Sequence, residues 1–297
     1  MRVNQRRRGL ESGHLFCFGL GFSALHLADR LLSLGWRVSG TCRTAEKAAA
    51  LRARGIDAYP FDRDRPMADL AGRLADVTDL LGSVPPDAAG DPAIDRHGAE
   101  IAAAAHRLSW IGYLSTTGVY GDRGGGWVDE TSPLRPSGER GRRRLLAEQA
   151  WQALPQPAHL FRLAGIYGPG SSALDTVREG RARRVVKAGQ VFSRIHVSDI
   201  ASVLVASMAR PNPGAAYNVC DDDPAPPAEV VTYACELLGV VPPPMVPYEE
   251  ADLSPMARSF YDDNKRVRND RIKQELSVSL AFPNYRPGLK SLFDAGL

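Results

Sequence analysis

The feature that most constrains the fold of this chain is a glycine-rich turn near residue 20. An apolar run at residues 15–18 ends at Gly19, and apolar residues recur at helical spacing over residues 22–34. The turn between them, Gly19-Leu-Gly-Phe-Ser-Ala24, fits the pattern G-x-G-x-x-G/A. Because the pattern directly follows a strand and opens a helix, it predicts a strand, a phosphate-binding turn and a helix.

Each small residue in this turn has a physical task in binding a dinucleotide. Gly19 permits the tight turn, Gly21 lets a pyrophosphate approach the backbone, and Ala24 lets the helix pack closely on the strand. The amides of Phe22 and Ser23, at the positive end of the helix dipole, would then face the phosphates. The alternative is an ordinary glycine turn with no ligand. We predict a cofactor site at these five residues.

Segments that alternate between strand and helix continue along the chain. Strands are predicted at residues 36–41, 56–59, 79–84, 110–115 and 158–163, and helices at residues 44–54, 93–107 and 138–153. Thr44 is the expected N-cap of the first of these helices. Such alternation predicts an α/β fold, with helices on both faces of a doubly wound parallel Rossmann sheet.

The pattern changes after Gly168-Pro-Gly170, where proline and arginine become frequent. A strand end that runs into an apolar helix is predicted at residues 195–208, and a short strand at residues 216–220. The predicted organisation is a disordered tail at residues 1–13, a dinucleotide-binding domain at residues 14–170 and a smaller, mainly substrate-binding lobe at residues 171–297. Segments near residues 194–220 are expected to return to the first domain.

Composition excludes several classes of function. Lys plus Arg number 37 against 34 for Asp plus Glu, and this small excess, in basic runs without interleaved aromatics, argues against a nucleic-acid partner. No apolar stretch reaches the roughly 18 residues that span a bilayer, so no membrane partner is expected. The basic segment at residues 1–8 favours a cytoplasmic tail, with an export signal as the alternative. Four cysteines without metal-binding spacing predict no metal and a reducing compartment: Cys17, Cys42, Cys220 and Cys235.

The end of the second predicted strand discriminates between nicotinamide cofactors. NAD-binding proteins place an acidic residue there to hold the ribose 2′-hydroxyl, whereas this chain has Arg43. A guanidinium fork suits a 2′-phosphate, so NADP is favoured and NAD is the second choice. The alternative is that Arg43 is a solvated surface residue, and the nearby Glu46 weakens the preference for NADP.

Seven short motifs occur in a fixed order after residue 13. They are Gly19-Leu-Gly-Phe-Ser-Ala24, Gly40-Thr-Cys-Arg43, Tyr59-Pro-Phe-Asp62, Leu114-Ser-Thr-Thr-Gly-Val-Tyr-Gly121, Phe161-Arg-Leu-Ala-Gly-Ile-Tyr-Gly-Pro-Gly170, His196-Val-Ser-Asp199 and Tyr217-Asn-Val219. In this order the chain resembles the extended short-chain dehydrogenase/reductases, which include the NAD-dependent epimerase/dehydratase family. The resemblance implies a Rossmann domain with a smaller C-terminal substrate lobe. It also implies that Asp62 meets the adenine and that Ile166 and Tyr167 line the nicotinamide end.

The catalytic positions implied by this resemblance are altered. The family carries a Ser or Thr before a V-Y-G turn, matched by Thr116, and then a Y-x-x-x-K pair, where this chain has Arg140 and Arg144. Arginine has no acceptor and a pKa above about 12, so it cannot exchange the proton as tyrosine does. Arg144 would supply a fixed charge near the ribose, and Arg140 would stabilise an oxyanion. The alternative for Thr116 is that it satisfies backbone groups where the strand ends.

Two further residues are candidates for binding the substrate. Arg194 precedes His196-Val-Ser-Asp199 and is expected in the cleft between the lobes, where it would recognise an anionic group. Tyr120 carries a phenol hydroxyl that could bind the substrate; the alternative is that Tyr120 is buried in the core. Arg181 and Arg183 are expected to be solvated surface charges.

The leading hypothesis is an NADP-dependent oxidoreductase, or an epimerase/dehydratase-like enzyme, of the atypical extended class. Its partner would be a small polar carbonyl compound or alcohol, or a molecule like a sugar nucleotide. The alternative is a non-catalytic NAD(P)-binding sensor of the same fold. Either a monomer or a homodimer is compatible with the sequence, although the arginine-rich helix at residues 138–153 argues against a dry apolar interface.

Overall fold

The computed structural model describes residues 12–297, so most of the predicted tail lies outside the described residues. In this range the strands are β1 (His14–Phe18), β2 (Arg37–Cys42), β3 (Asp57–Pro60), β4 (Asp79–Gly82), β5 (Trp110–Thr116), β6 (Trp127–Val128), β7 (His159–Leu163), β8 (Gly165–Tyr167), β9 (Arg184–Val186), β10 (Arg194–His196), β11 (Ala216–Val219), β12 (Met245–Pro247) and β13 (Arg266–Val267). The helices are α1 (Phe22–Ser33), α2 (Ala45–Arg52), α3 (Leu70–Arg73), α4 (Pro92–Ala104), α5 (Glu139–Gln152), α6 (Ala173–Arg178), α7 (Val197–Ala209), α8 (Pro227–Leu238), α9 (Pro255–Tyr261), α10 (Asp270–Leu276) and α11 (Tyr285–Asp294).

Seven strands form one parallel sheet in the order β3-β2-β1-β4-β5-β7-β11. From β1 the chain builds outward to β2 and β3, and it then returns to place β4 on the other side of β1. In an open α/β sheet such a reversal opens a crevice at the carboxyl ends of the strands. The predicted doubly wound Rossmann sheet is confirmed, and the glycine turn after β1 lies at that crevice.

Helices cover both faces of the sheet, as its apolar strands require. On one face α1 packs against α7, and Leu27, Leu31 and Leu204 belong to the same buried cluster. On the other face, Ile101 of α4 and Trp151 of α5 pack against the sheet. Burial on both sides explains why the central strands are apolar runs rather than alternating patterns.

The ends of the first helices follow the local signals in the sequence. Thr44 caps α2, and its hydroxyl oxygen accepts a hydrogen bond from the Lys47 amide at 3.2 Å. Gly35 follows α1 with a φ of +77°, a left-handed conformation that glycine adopts without steric cost and that ends the helix. The first half of the sheet is therefore encoded locally.

The chain after β8 builds a smaller lobe beside the sheet. Helices α6, α8 and α11 pack around Leu174, Val230 and Leu289. Three two-stranded parallel sheets, β8 with β10, β9 with β12, and β6 with β13, join segments distant in the chain. Meanwhile β11 pairs with β7 in the main sheet. Across residues 12–297, no helix combines the length and the apolar character needed to cross a membrane.

Candidate functional site

The glycine turn after β1 is pinned to the end of the neighbouring strand β2. The Gly19 amide donates to the Thr41 hydroxyl oxygen at 2.8 Å, and the Leu20 amide donates to the Thr41 carbonyl oxygen at 2.6 Å. Gly19 has a φ of +92°, and a Cβ there would lie 3.0 Å from the Val84 amide nitrogen. Only glycine therefore fits this position without strain.

The other side of the turn leaves room for a ligand. Gly21 caps α1, and a Cβ built on it meets no atom of the described residues within 4 Å. The Leu25 amide donates to the Gly21 carbonyl oxygen, so the three preceding helical amides, of Phe22, Ser23 and Ala24, have no carbonyl one turn back to bind. These free donors and the open space fit a pyrophosphate.

Three charged residues meet beyond the end of β2. Arg43 is exposed, and its carbonyl oxygen accepts a hydrogen bond from Arg65 Nη2 at 2.6 Å. The same Arg65 nitrogen donates to Asp62 Oδ2 at 2.9 Å. Arg65 was not predicted from the sequence, although the Asp62–Arg65 spacing in the turn after β3 was the available signal. The contact of Asp62 with an adenine stays a prediction.

A cleft of about 1120 Å³, the main cleft, lies between the sheet and the smaller lobe. The sheet contributes Thr116 at the carboxyl end of β5, and β8 contributes Ile166 and Tyr167. The smaller lobe contributes Arg194 of β10 and Lys265, together with α9 and the segment before it. The structure thus brings together four of the predicted site residues and adds Lys265.

The hydroxyl of Thr116 can both accept and donate a hydrogen bond. Its oxygen accepts a hydrogen bond from the Gly118 amide at 3.1 Å, which caps the short 3₁₀ turn that follows β5. Within the described residues its own O–H has no hydrogen-bond acceptor, and Thr116 lines the main cleft. Thr116 therefore satisfies backbone groups, as the alternative held, and still offers a donor to a ligand.

The two α5 arginines at the predicted catalytic positions, Arg140 and Arg144, have different surroundings. Arg144 is partly buried, and its Nη1 donates to the Tyr113 hydroxyl at 3.0 Å and to the Leu114 carbonyl oxygen at 2.8 Å. Arg140 is exposed and lies over the Phe260 ring, with its guanidinium carbon 5.4 Å from the ring centre. Arg140 is absent from the residues of the described chain that line the main cleft. Its predicted action on a substrate oxygen finds no support in this placement.

Tyr120 does not reach the cleft. Its side chain is fully buried, and its hydroxyl donates to Asn218 Oδ1 at 2.7 Å and accepts from Arg162 Nη1 at 2.9 Å. Burial raises the pKa of this phenol to about 12, and the nearby Arg162 opposes that shift. Tyr120 ends the 3₁₀ turn after β5, and this turn directs its side chain into the core. The prediction that Tyr120 binds substrate is therefore wrong, and the alternative, burial in the core, is correct.

Lys265 is a cleft residue that the sequence analysis did not single out. Its side chain is only 10% exposed, and Nζ lies 3.0 Å from Asp263 Oδ2. The preceding residue, Asn264, fixes this segment, because its carbonyl oxygen accepts from the Arg123 and Gly125 amides. The available signal was the segment Asn264-Lys-Arg-Val267, which resembles the atypical members of the superfamily; its place at the cleft depends on the pairing of β13 with β6.

Other predicted polar residues have structural tasks. His196 caps α7 through its Nδ1, which accepts from the Ser198 amide at 3.2 Å, and burial lowers its pKa to about 4. Burial also raises the pKa of the Tyr167 phenol, whose hydroxyl lies 3.4 Å from the Asn284 carbonyl oxygen. Arg181 and Arg183 are exposed as predicted, but both lie at the wall of the main cleft.

Comparison with known sequences gives a relative that spans nearly the whole chain. No protein-family model matches. The chain is 32% identical to Protein YeeZ of Escherichia coli K12 over 281 residues, which cover 90% of this chain and 95% of YeeZ. The similarity therefore includes both the sheet and the smaller lobe.

Solved structures show the same extent of similarity. A conserved protein of unknown function from Silicibacter pomeroyi is 54% identical, with a TM-score of 0.88 over 96% of this chain and 99% of that chain. A protein from Methylobacillus flagellatus, described provisionally as an NAD-dependent epimerase/dehydratase, is 25% identical, with a TM-score of 0.72 over 96% of this chain and 98% of that chain. The likeness covers both lobes in each case.

Proposed function

The chain belongs to the NAD-dependent epimerase/dehydratase family of extended short-chain dehydrogenase/reductases, and to the same family as YeeZ, and from this premise we propose that it is an NADP-dependent oxidoreductase acting on a small polar carbonyl compound or alcohol. The observation that carries the proposal is the turn at Gly19–Ala24, where three free amides at the start of α1 border an open space. An epimerase or dehydratase reaction would use the same cofactor site.

The cofactor would be held by groups at the carboxyl edge of the sheet. The amides of Phe22, Ser23 and Ala24 would bind the pyrophosphate, and the guanidinium groups of Arg43 and Arg65 would bind a 2′-phosphate. NADP brings to the site a nicotinamide that exchanges a hydride with a carbonyl carbon or an alcohol. Ile166 and Tyr167 are expected to border that ring.

The protein would supply the proton from a group other than the usual tyrosine. Thr116 offers an O–H donor in the main cleft, and Lys265 offers an ammonium group in the same cleft. An ammonium can give up a proton to a forming alkoxide, whereas the guanidinium of Arg140 cannot, and Arg140 lies outside the cleft lining. We assign to Lys265 the proton transfer that the tyrosine performs in the family, a role that was not expected of Arg140.

Calorimetric titration with NADPH and NADH tests the cofactor part of this proposal. Arg43→Ala is expected to weaken NADPH binding by about ten- to a hundredfold, because it removes charge-assisted hydrogen bonds to the 2′-phosphate, and to leave NADH binding unchanged. Arg54→Ala is the matched control, since Arg54 is an exposed arginine at the opposite end of α2, paired with Asp29. An equal loss for both cofactors would contradict the assigned role of Arg43.

A screen for turnover tests the enzymatic part. Purified protein loaded with NADPH is expected to oxidise the cofactor in the presence of a member of a panel of polar carbonyl compounds. Tight cofactor binding with no reaction across the panel would favour the rival, a cofactor sensor of the same fold.

A further inference from the structure

The cations that line the main cleft differ in whether a carboxylate of the protein lies beside them. Arg183 lies 3.7 Å from Asp252, Lys265 lies 3.0 Å from Asp263, and Arg181 is paired with Glu179. Arg194 also lines the cleft, yet no carboxylate oxygen of residues 12–297 lies within 4.0 Å of its guanidinium nitrogens. It is the cleft cation whose charge the described chain leaves unpaired.

Arg194 is partly buried, and hydrogen bonds to the backbone hold its side chain in place. Nη1 donates to the carbonyl oxygens of Phe192 at 2.8 Å and Ala225 at 3.0 Å, which fixes the plane of the guanidinium. Burial lowers the pKa of Arg194, against the pull of the nearby Asp221 carboxyl. A desolvated cation without a counter-charge is costly to hold, so an anionic partner at this point would be strongly favoured.

Two buried polar atoms next to Arg194 also lack partners. The Tyr285 side chain is 1% exposed, and its hydroxyl makes no hydrogen bond within the described chain. The Asp221 side chain is likewise 1% exposed, and its Oδ2 is unpaired within the same residues. Burial raises the pKa of Asp221 to about 8, and the nearby Arg194 opposes that shift.

A second cavity meets the main cleft at this cluster. This side cavity, of about 500 Å³, is lined by α6, α8 and the start of α11, including Tyr285. Ile166, Tyr167 and Arg194 line both spaces. A molecule whose reactive end lies beside Ile166 can therefore place a charged end against Arg194 without leaving the protein.

We propose that Arg194 and the Tyr285 hydroxyl bind an anionic oxygen group of the substrate, a carboxylate or a phosphate, at the junction of the main cleft and the side cavity. This inference rests on the proposed function for the identity of the ligand as substrate. It narrows the substrate class to anionic carbonyl compounds or alcohols, such as oxo acids or phosphorylated oxo compounds. The planar guanidinium supplies paired donors, and the phenol supplies a further one.

The test measures anion binding without any cofactor. Thermal unfolding and calorimetric titration are run with malonate, with inorganic phosphate and with sodium chloride at matched ionic strength. We expect at least one of the two oxyanions to raise the unfolding temperature above the chloride reference, because a ligand that binds only the folded state stabilises it. A response to malonate alone indicates a carboxylate, a response to phosphate alone indicates a phosphorylated substrate, and a response to both indicates a general oxyanion site.

Variants assign the binding to this cluster. Arg194→Gln is expected to weaken anion binding by about ten- to a hundredfold, while Arg183→Gln, which removes another cleft arginine, leaves it unchanged. Arg194→Lys retains the charge but not the fork, so it is expected to bind with intermediate affinity even if the glutamine variant fails to fold. Tyr285→Phe is expected to cause a smaller loss.

Two outcomes would overturn the proposal: no oxyanion effect beyond chloride in the wild-type protein, or equal binding by the wild-type, Arg194→Gln and Arg194→Lys proteins. NADPH titration of the same variants separates this result from the proposed function. Retained NADPH binding with lost anion binding is expected. If the wild-type protein does not bind NADPH, the proposed cofactor site is contradicted, whereas the assignment of the anion site to Arg194 is unaffected.

Discussion

The glycine turn after β1 and the main cleft offer a ligand different kinds of hydrogen-bond donor. At the glycine turn the donors are backbone amides of α1, which no side-chain substitution at Phe22 or Ser23 removes. In the main cleft the donors are charged side chains, Lys265 and Arg194, whose chemistry depends on single residues. A substitution can therefore remove a donor of the main cleft, whereas the amide donors of the glycine turn do not depend on side-chain identity.

Helix α5 carries the arginines at the altered catalytic positions. Arg144 stands where the family has lysine, and it ties α5 to β5 through Tyr113 and Leu114. Arg140 stands where the resemblance places tyrosine, and its guanidinium lies over the ring of Phe260, which lines the main cleft although Arg140 itself does not. Both arginines contact protein groups, so the positive charge that lines the cleft comes from the smaller lobe.

The largest expected effect is a loss of turnover when Lys265 of the main cleft is replaced. Lys265→Met is expected to lower kcat/KM by about 10²- to 10⁴-fold, because a positioned proton donor contributes that much to the rate. NADPH affinity should stay unchanged. Lys290→Met is the control, because Lys290 also pairs with an aspartate, Asp294, but lies on α11. Undiminished turnover of Lys265→Met, or an equal loss in the control, would remove Lys265 from the mechanism.

The second expected effect is a pH dependence of the unfolding free energy that arises from the Asp221 carboxyl. Burial raises the pKa of Asp221 from 3.8 to about 8, so the folded state keeps a proton that the unfolded chain releases. The stabilising contribution is full below the unfolded pKa and is lost as the pH rises through the folded pKa. Between these values we expect Asp221 to lower the unfolding free energy by up to about 1.4 kcal/mol per pH unit.

Urea unfolding at a series of pH values measures this contribution as the difference between the wild-type protein and Asp221→Asn. His196, whose pKa burial lowers to about 4, contributes a slope of the opposite sign below 6.5 and is common to both proteins. A constant difference in stability across the pH series would show that Asp221 does not titrate as described.

The smallest expected effects distinguish Arg140 from Arg144 on α5. Arg144→Met is expected to destabilise the protein by about 1–3 kcal/mol, because the Tyr113 hydroxyl and the Leu114 carbonyl lose their partner. Arg140→Met should change the stability by no more than about 0.5 kcal/mol, as for most exposed positions. Equilibrium unfolding in urea measures both values, and similar costs for the two variants would refute the structural division of α5.

The sequence predicts the features of this molecule that local chemistry encodes. The alternation of strands and helices, the cap at Thr44 and the turn at Gly19 each depend on residues within a few positions. The positions of Lys265 and Arg65 depend on pairing between distant segments, and their importance becomes visible only in three dimensions. Tyr120 was misassigned because a single 3₁₀ turn decides whether its phenol faces the cleft or the core.

The central claim is that an open backbone surface at Gly21 receives the pyrophosphate of a nicotinamide cofactor. Gly21 and Gly138 cap α1 and α5 in similar extended conformations, and neither has an atom within 4 Å of a built Cβ in the described chain. Calorimetric titration of Gly21→Val and Gly138→Val with NADPH is therefore the most direct measurement. We predict no detectable binding by folded Gly21→Val and normal binding by Gly138→Val, and normal binding by Gly21→Val would contradict the account.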